Sequence, residues 1–263
     1  MSAWDNYEKR ITIHGPTKRS SAYKRECRFI DQKLKDNLSY QSVKIFPREF
    51  CFNVNTRPIR QHVEDRNVAI IDSDNLNEKV IYSMPSEDIQ LGSLISWMDN
   101  YWIVTERDAN TTLLTRAKLT QCNHLLRWIT PSGIIVEQWC VVEDGTKYLT
   151  GELEDRKFIV TRGDARIAVL ISKNKYTDLM DRESRFLIDD PDTEHKMSFQ
   201  LTKPLKVGMS YGSDGVYKFV MQEVTATEYD DHVRGIADYY RYFPEDPDNP
   251  VAGEEPPKKG AWL

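Results

Sequence analysis

A chain of 263 residues has room for one large or two small domains, each with its own hydrophobic core. Its 40% apolar and 29% charged content excludes a wholly disordered or a fibrous chain. The net charge of -5 is unevenly spread: residues 1–60 carry thirteen Lys/Arg against six Asp/Glu, and the last 38 residues carry four against nine.

The longest apolar stretches, such as Gly133 to Val136 and Ala168 to Ile171, fall far short of the roughly 20 residues a membrane helix needs. No membrane is therefore expected as a partner. Met1-Ser2-Ala3-Trp4-Asp5 has no charged head followed by an apolar run, so no secretory signal is expected and synthesis and use fall in a cytoplasm. Cys27, Cys51, Cys122 and Cys140 match neither a CxxC zinc site nor a dense disulfide framework, and they read as reduced, mostly buried thiols. Two facing strands could bring Cys122 to Cys140, but a reducing cytosol disfavours that bridge.

Residues 1 to about 45 hold the one good helical stretch. Thr17, Ser20 or Ser21 is its candidate N-cap. Ala22, Phe29, Ile30 and Leu34 recur at near-helical spacing among Lys24, Arg25, Arg28, Lys33 and Lys35, which makes a basic amphipathic helix. Its apolar face is narrow, so docking on its own domain or a neighbouring subunit is favoured over a membrane or nucleic acid. From about Ser42 the pattern changes to short alternating runs: Val68 to Ile71, Lys79 to Tyr82, Leu94 to Trp97, Trp102 to Glu106 and Thr112 to Leu119 suit strands. Asp99-Asn100 marks a hairpin turn between two of them.

A second series starts near His124. Leu125 to Ile129, Ile134 to Val142, Lys157 to Val160, Ala165 to Leu170, Arg185 to Ile188, Met197 to Thr202 and Tyr217 to Val224 read as strands. Pro131-Ser132-Gly133 and Ser213-Asp214-Gly215 mark turns, and Lys175 to Asp181 suits one helical turn. The expected fold is mainly β: two small antiparallel β-barrel or sandwich modules, 46–122 and 123–226. They follow a basic N-terminal arm with a helix (1–45) and precede an extended acidic C-terminal arm (227–263). The modules share a faint likeness: LGSLISWMDNYWIVTE, and SRFLIDD followed by GVYKFVMQEV, both give an apolar strand, a loop and an aromatic-led strand.

The C-terminal arm has few apolar residues past Phe243 and cannot build a core there. Its tip, Ala261-Trp262-Leu263, is apolar again, and a wet Trp or Leu forgoes roughly 1.5 to 3 kcal/mol. Trp4 and Trp262 lie outside the expected elements and suit intersubunit contacts, where Trp is enriched. Trp97, Trp102, Trp128 and Trp139 fall in strands and read as core. The candidate subunit contacts are Trp4, Arg10, Lys18, Arg19, Lys24 and Arg25 at one end, and Tyr239, Tyr240, Tyr242, Phe243, Trp262 and Leu263 at the other. Opposite charge at the two ends favours either a polyanion or head-to-tail contact between copies.

No catalytic constellation emerges. His14, His62, His124, His195 and His232 are dispersed without metal-ligand spacing, and no GxGxxG, GxxxxGK[ST] or GxSxG occurs. Glu143-Asp144 and Asp189-Asp190 adjoin turn residues, where Asp serves backbone hydrogen bonding more readily than glycoside chemistry. A non-enzyme is expected, with no cofactor, metal or small-molecule substrate. The basic N-terminal stretch allows at most a passing contact with DNA.

The segment CNHLLRWITPSGIIVEQWCVVEDGTKYLTGE (122–152) resembles virion proteins of tailed phages that infect Gram-positive bacteria. Asp36 to Gln41, DSDNLNEKVIYSMPSEDIQLGSLI (72–95) and GIADYYRYFPED (235–246) extend the likeness over most of the chain. The resemblance is to head-closure or head-to-tail connector proteins. It implies a virion protein, assembled in the host cytoplasm, whose small β-barrel and extended arms form a ring beneath the portal. There it would meet portal, adaptor and tail proteins, hold back packaged DNA and dock the tail. The loops at Pro131, Ser132 and Gly133 and at Glu143, Asp144 and Gly145 would be the two candidates to face the channel. A tail or baseplate adaptor is the alternative within virion proteins. A carbohydrate-binding module that stacks sugars on exposed Trp and Tyr is the alternative from another class.

Overall fold

The computed structural model describes residues 3–12, 17–48, 63–84, 87–108, 113–144, 166–190, 192–206, 210–212, 214–246 and 248–250. Two compact units result, one holding residues 3–47 and 63–121 and the other 122–250 together with Arg48. The protein is mainly β, as expected, with one closed barrel and one nearly closed. No helix among the described residues is long and apolar enough to cross a membrane.

The first unit opens with two helices where the sequence suggests one, α1 (Ala3–Thr12) and α2 (Lys18–Lys35). Of the three cap candidates Thr17 takes the position: its Oγ1 accepts the Ser20 N–H at 3.1 Å, and Ser20 Oγ accepts the Thr17 N–H at 3.1 Å. Two of the N–H groups that a helix start leaves open are thus satisfied reciprocally. Lys33 and Lys35 in the last turn complement the negative end of the helix dipole. Leu34 is the one buried residue of α2, while Phe29 is 56% exposed beneath the Lys33 ammonium, 5.2 Å from its ring centre.

Six antiparallel strands follow: β1 (Tyr40–Phe46), β2 (Glu64–Asp72), β3 (Glu78–Ser83), β4 (Leu94–Trp97), β5 (Asn100–Arg107) and β6 (Thr115–Gln121). They close in the order β1-β2-β3-β6-β5-β4. The closing ladder pairs Lys44 with Ser96, Ile45 with Ile95 and Phe46 with Leu94. Period-two alternation sends Val43 and Ile45 inward around exposed Lys44, and Val68, Ile70, Ile81, Ile95, Ile103 and Leu119 of the other strands are buried as well. The barrel therefore begins at Tyr40, inside the stretch expected to be an arm.

The second unit contains β7 (His124–Ile129), β8 (Ile135–Asp144), β9 (Arg166–Ser172), a 3-10 turn (Thr177–Leu179), β10 (Arg185–Ile188), β11 (Met197–Leu205), β12 (Ser210–Tyr211), β13 (Asp214–Val224) and the short α3 (Tyr239–Tyr242). The sheet order is β10-β11-β13-β9-β8-β7, with β12 hairpinned onto β13. Leu126, Trp128, Val136, Cys140, Val169, Phe186, Phe199, Leu201 and Phe219 fill the interior. The expected strand at 157–160 lies outside the described residues.

With β12 set aside and the strands of each unit numbered from one to six, both sheets have the order 1-2-3-6-5-4. A shared order of this kind supports a duplicated module. It also corrects the sequence likeness between them, because β4 and β10 are equivalent fourth strands, whereas β5 is a fifth strand and β13 a sixth.

The segment from residue 227 onward is not extended over its described part. Tyr229, Ile236, Tyr239 and Tyr240 are buried against Ile135, with Ile129 and Phe243 packed alongside. Asp231 and Ile236 exchange two backbone hydrogen bonds of 3.0 Å across a turn in which Gly235 has φ +69°. Tyr rings carry a large apolar body behind one hydroxyl, so a Tyr-rich stretch can bury area that its Pro and Asp content conceals.

One turn carries avoidable strain. β4 and β5 pair Trp97 with Asn100, so the central residues are Met98 (φ 47°) and Asp99 (φ 60°), one position earlier than the sequence suggested. Left-handed backbone costs a side chain with Cβ about 1 kcal/mol, least for Asn and Gly in such hairpin turns. Met98 is 66% exposed, so Met98→Asn should stabilise the protein by about 0.5 to 1 kcal/mol, read as a higher urea midpoint at unchanged slope.

Candidate assembly surfaces

The sheet of the second unit ends on β7 and β10, which lie side by side. Alternation along β7 turns Leu126 and Trp128 inward and leaves Arg127 and Ile129 outward. Arg127 Nη1 donates to the carbonyl of Arg234 at 2.9 Å, and its Nε lies 2.6 Å from Glu137. From the other strand, Arg185 forms a two-pronged pair with Asp230, Nη2 to Oδ2 at 2.9 Å and Nη1 to Oδ1 at 3.1 Å. It also donates to Asp238 Oδ1 (3.1 Å), Thr227 Oγ1 (3.0 Å), Ser198 Oγ (2.9 Å) and the Thr225 carbonyl (3.2 Å). The Asp230 side chain is fully buried and accepts the backbone N–H groups of Thr227 (2.7 Å) and Asp238 (2.9 Å). Both edge strands thus hold the same C-terminal segment across the seam.

A second cluster fixes its far end. Arg234 pairs with Asp231 at 2.5 Å, reaches Asp246 and Asp248 at 3.5 and 3.4 Å, and lies over the Tyr239 ring at 4.8 Å. The Tyr239 hydroxyl donates to Asp246 at 3.0 Å. The N–H of Asp248 and the Tyr239 hydroxyl hold the Asp246 carboxyl below its ordinary range.

Beside the seam is a cleft of about 600 Å³, formed where β7 ends, β10 begins and α3 passes. Its walls include Trp128, Ile129, Tyr176, Leu179, Met180 and Tyr242, with Glu183 and Arg241 among its polar groups. Leu179 and Tyr242 are 52% and 39% exposed.

The proposed contact residues divide. Trp4 is 66% exposed and stacks at 5.7 Å on Tyr7, itself exposed; Lys18, Arg19, Lys24 and Arg25 are exposed on α2. Tyr239 and Tyr240 are corrected from subunit contacts to internal ones, since both are buried in their own unit. Phe243 is half-buried on Tyr239, with ring centres 4.9 Å apart, and only Tyr242 of this group is exposed. Pro131 and Ser132 are exposed in the β7–β8 loop, Gly133 adopts φ +77° there, and Glu143 is half-buried. The side chains of Arg10 and Asp144 lie outside the described residues, as do Gly145, Trp262 and Leu263. Sequence spacing offered no signal for the Arg185 cluster, whose members are 45 and 53 positions apart.

Several of the other candidate groups have partners among the described residues. Asp189 accepts the Asp190 N–H at 2.8 Å and Asp190 the Asp192 N–H at 3.2 Å, as turn residues do. Cys27, Cys122 and Cys140 are free thiols; burial pushes Cys122 well up and Cys140 to about 12. Burial lowers His124, and His195 meets His232 edge-on at 5.6 Å. Among the described residues no three His, Cys, Asp or Glu side chains gather as a metal site. Trp128 is buried, and Trp97 is half-buried with its indole donating to Gln41 at 2.6 Å, so neither forms an open sugar-stacking platform.

Removing one partner of a buried, hydrogen-bonded ion pair leaves the other uncompensated. Asp230→Asn should therefore destabilise the protein by about 3 kcal/mol or more in urea unfolding and raise amide exchange across 227–243 before the barrel core. Desolvation, joined by Asp246 for Tyr239 and by Asp231 for Tyr240, raises both phenols above their ordinary value. The folded state thus holds these protons more tightly than the unfolded one. The stability they confer is complete below about pH 10, the ordinary tyrosine value, and is lost as pH rises through the higher folded values. An alkaline titration should show tyrosinate absorbance from this pair appearing together with loss of their ring packing, after the exposed tyrosines have ionised.

No family model matches the chain, and no curated protein sequence matches it. A solved structure, described as MrkH, a novel c-di-GMP dependence transcription regulatory factor, is similar over 78% of this chain and 84% of its own, with 10% identity and a TM-score of 0.23.

Proposed function

We propose that the protein is a non-catalytic structural subunit of a tailed-phage particle, a ring-forming head-closure or connector component between portal and tail. The observation that carries the assembly reading is the placement of its exposed aromatic side chains. Of the six exposed rings among the described residues (Trp4, Tyr7, Tyr23, Phe29, Tyr211 and Tyr242), four are on α1 and α2. Rings left in solvent on these two helices suit contacts with other chains, where aromatic residues are enriched. The phage assignment is supported by the sequence resemblance, which runs through both barrels and the C-terminal segment.

Two filled barrels suit this role physically. Side chains occupy their interiors, so they act as rigid bodies that hold surfaces in place. The helices and the C-terminal segment are what each barrel presents to its surroundings. The test is location: antibody-gold labelling or cryo-electron microscopy of particles should place the chain as a ring at the neck. Labelling confined to the distal tail tip would shift the assignment to a baseplate adaptor, and absence from particles would overturn the reading.

A further inference from the structure

The chain carries an aromatic projection on one unit and an aromatic-lined cleft on the other. We propose that Trp4 and Tyr7 of one copy seat in the cleft of the second unit of the next copy, walled by Trp128, Tyr176, Leu179, Met180 and Tyr242, making a head-to-tail contact. This rests on the reading of the chain as a ring-forming subunit and names the contact that closes the ring.

Four observations converge on it. Trp4 and Tyr7 are one helical turn apart on α1 and stack into a single exposed knob. The cleft, at about 600 Å³, lies within the range of concave sites that bury most of their occupant, roughly 300 to 1,000 Å³. Its rim exposes Leu179 and Tyr242, apolar groups whose covering is favourable. Charge favours a second copy over an unrelated occupant: residues 1–47 have ten basic and five acidic side chains, while the second unit, residues 48–61 with 122–263, has twenty-one basic and twenty-six acidic. A basic N-terminal element is therefore drawn toward the acidic unit of a neighbour.

Knob and cleft are different surfaces, so the contact is heterologous. Copies joined this way propagate until the rotation closes a ring, whereas a self-complementary patch would stop at a dimer.

The experiment uses the full chain and two variants, Trp4→Ala/Tyr7→Ala and Leu179→Arg, the latter setting a long charged side chain on an exposed apolar rim position. Circular dichroism first confirms that each is folded. By native mass spectrometry and sedimentation the unaltered protein should associate beyond the dimer. Each variant alone should be monomeric at the same concentration, with association weakened at least about thirty-fold, as expected for removal of a buried aromatic anchor. Mixing the two should give a 1:1 heterodimer and nothing larger, because one intact knob and one intact cleft remain.

Either variant associating like the unaltered protein overturns the contact, as does a mixture of folded variants that stays monomeric or grows past the dimer. If Leu179→Arg leaves self-association intact but removes a different virion protein from the particle, that protein is the occupant and the second copy is not. A particle ring that survives loss of the knob refutes the contact alone. A chain that is monomeric in solution and absent from particles refutes the ring reading as well.

Discussion

The second barrel depends on how its open seam is covered. Two strands that meet without a ladder expose backbone donors and acceptors along both edges, and such edges invite pairing with another chain. Here Arg127 on β7 and Arg185 on β10 reach outward and bind one segment, residues 225–238, through its carbonyls and carboxylates. Guanidinium suits this because its planar fork satisfies a carboxylate on two sides and keeps further N–H groups for hydroxyl and carbonyl oxygens. The Arg185 and Asp230 side chains retain 11% and 0% exposure, so their mutual bonding offsets a desolvation that neither could bear alone.

The first barrel does not need this device. Its equivalent strands, β1 and β4, pair directly through Ile45 and Ile95, so the ring of hydrogen bonds is complete. With one strand order in both units, the difference is local: one sheet closes by ladder, and the other by a strap of chain that follows its last strand. The strap covers the outward residues Ile129 and Ile135 with Tyr229, Tyr239 and Tyr240, and the cleft is the part of that junction left uncovered.

The strands were legible because a barrel wall has one dry and one wet face, which imprints period-two alternation on the sequence. Ile134 to Val142, for instance, anticipates Ile135–Asp144. The β4–β5 turn was misplaced by one residue for a related reason. Asn favours left-handed backbone, but the pairing of Leu94 with Ile103 and Ile95 with Trp102 keeps both apolar faces inward. A one-residue slip would turn them out, so register forces Met98 into the strained position. The strap was illegible because composition counts every Asp as solvated, and Asp230 and Asp231 are buried. What buries them is Arg185, distant in sequence, together with Arg234, and no local pattern encodes the first of these meetings.

Fold alone assigns no function, and large side chains such as Phe186, Phe199 and Phe219 fill the second interior, so under the proposed reading the contacts lie on what is added to the barrels. The additions differ in kind. The N-terminal helices place rings and positive charge in solvent, whereas the C-terminal strap takes its rings inward and leaves carboxylates such as Glu228, Glu245 and Asp248 exposed. An association driven by the helices therefore needs a partner surface that is apolar at its centre and acidic around it. The strap docks its tyrosines and presents these acids, and the cleft it borders carries Asp181 and Glu183 as well as Arg185 and Arg241 beside its apolar walls. The same burial that closes the second barrel leaves the strap's carboxylates outward, and under the proposed head-to-tail contact these two unlike additions meet between copies, not across a symmetric pair.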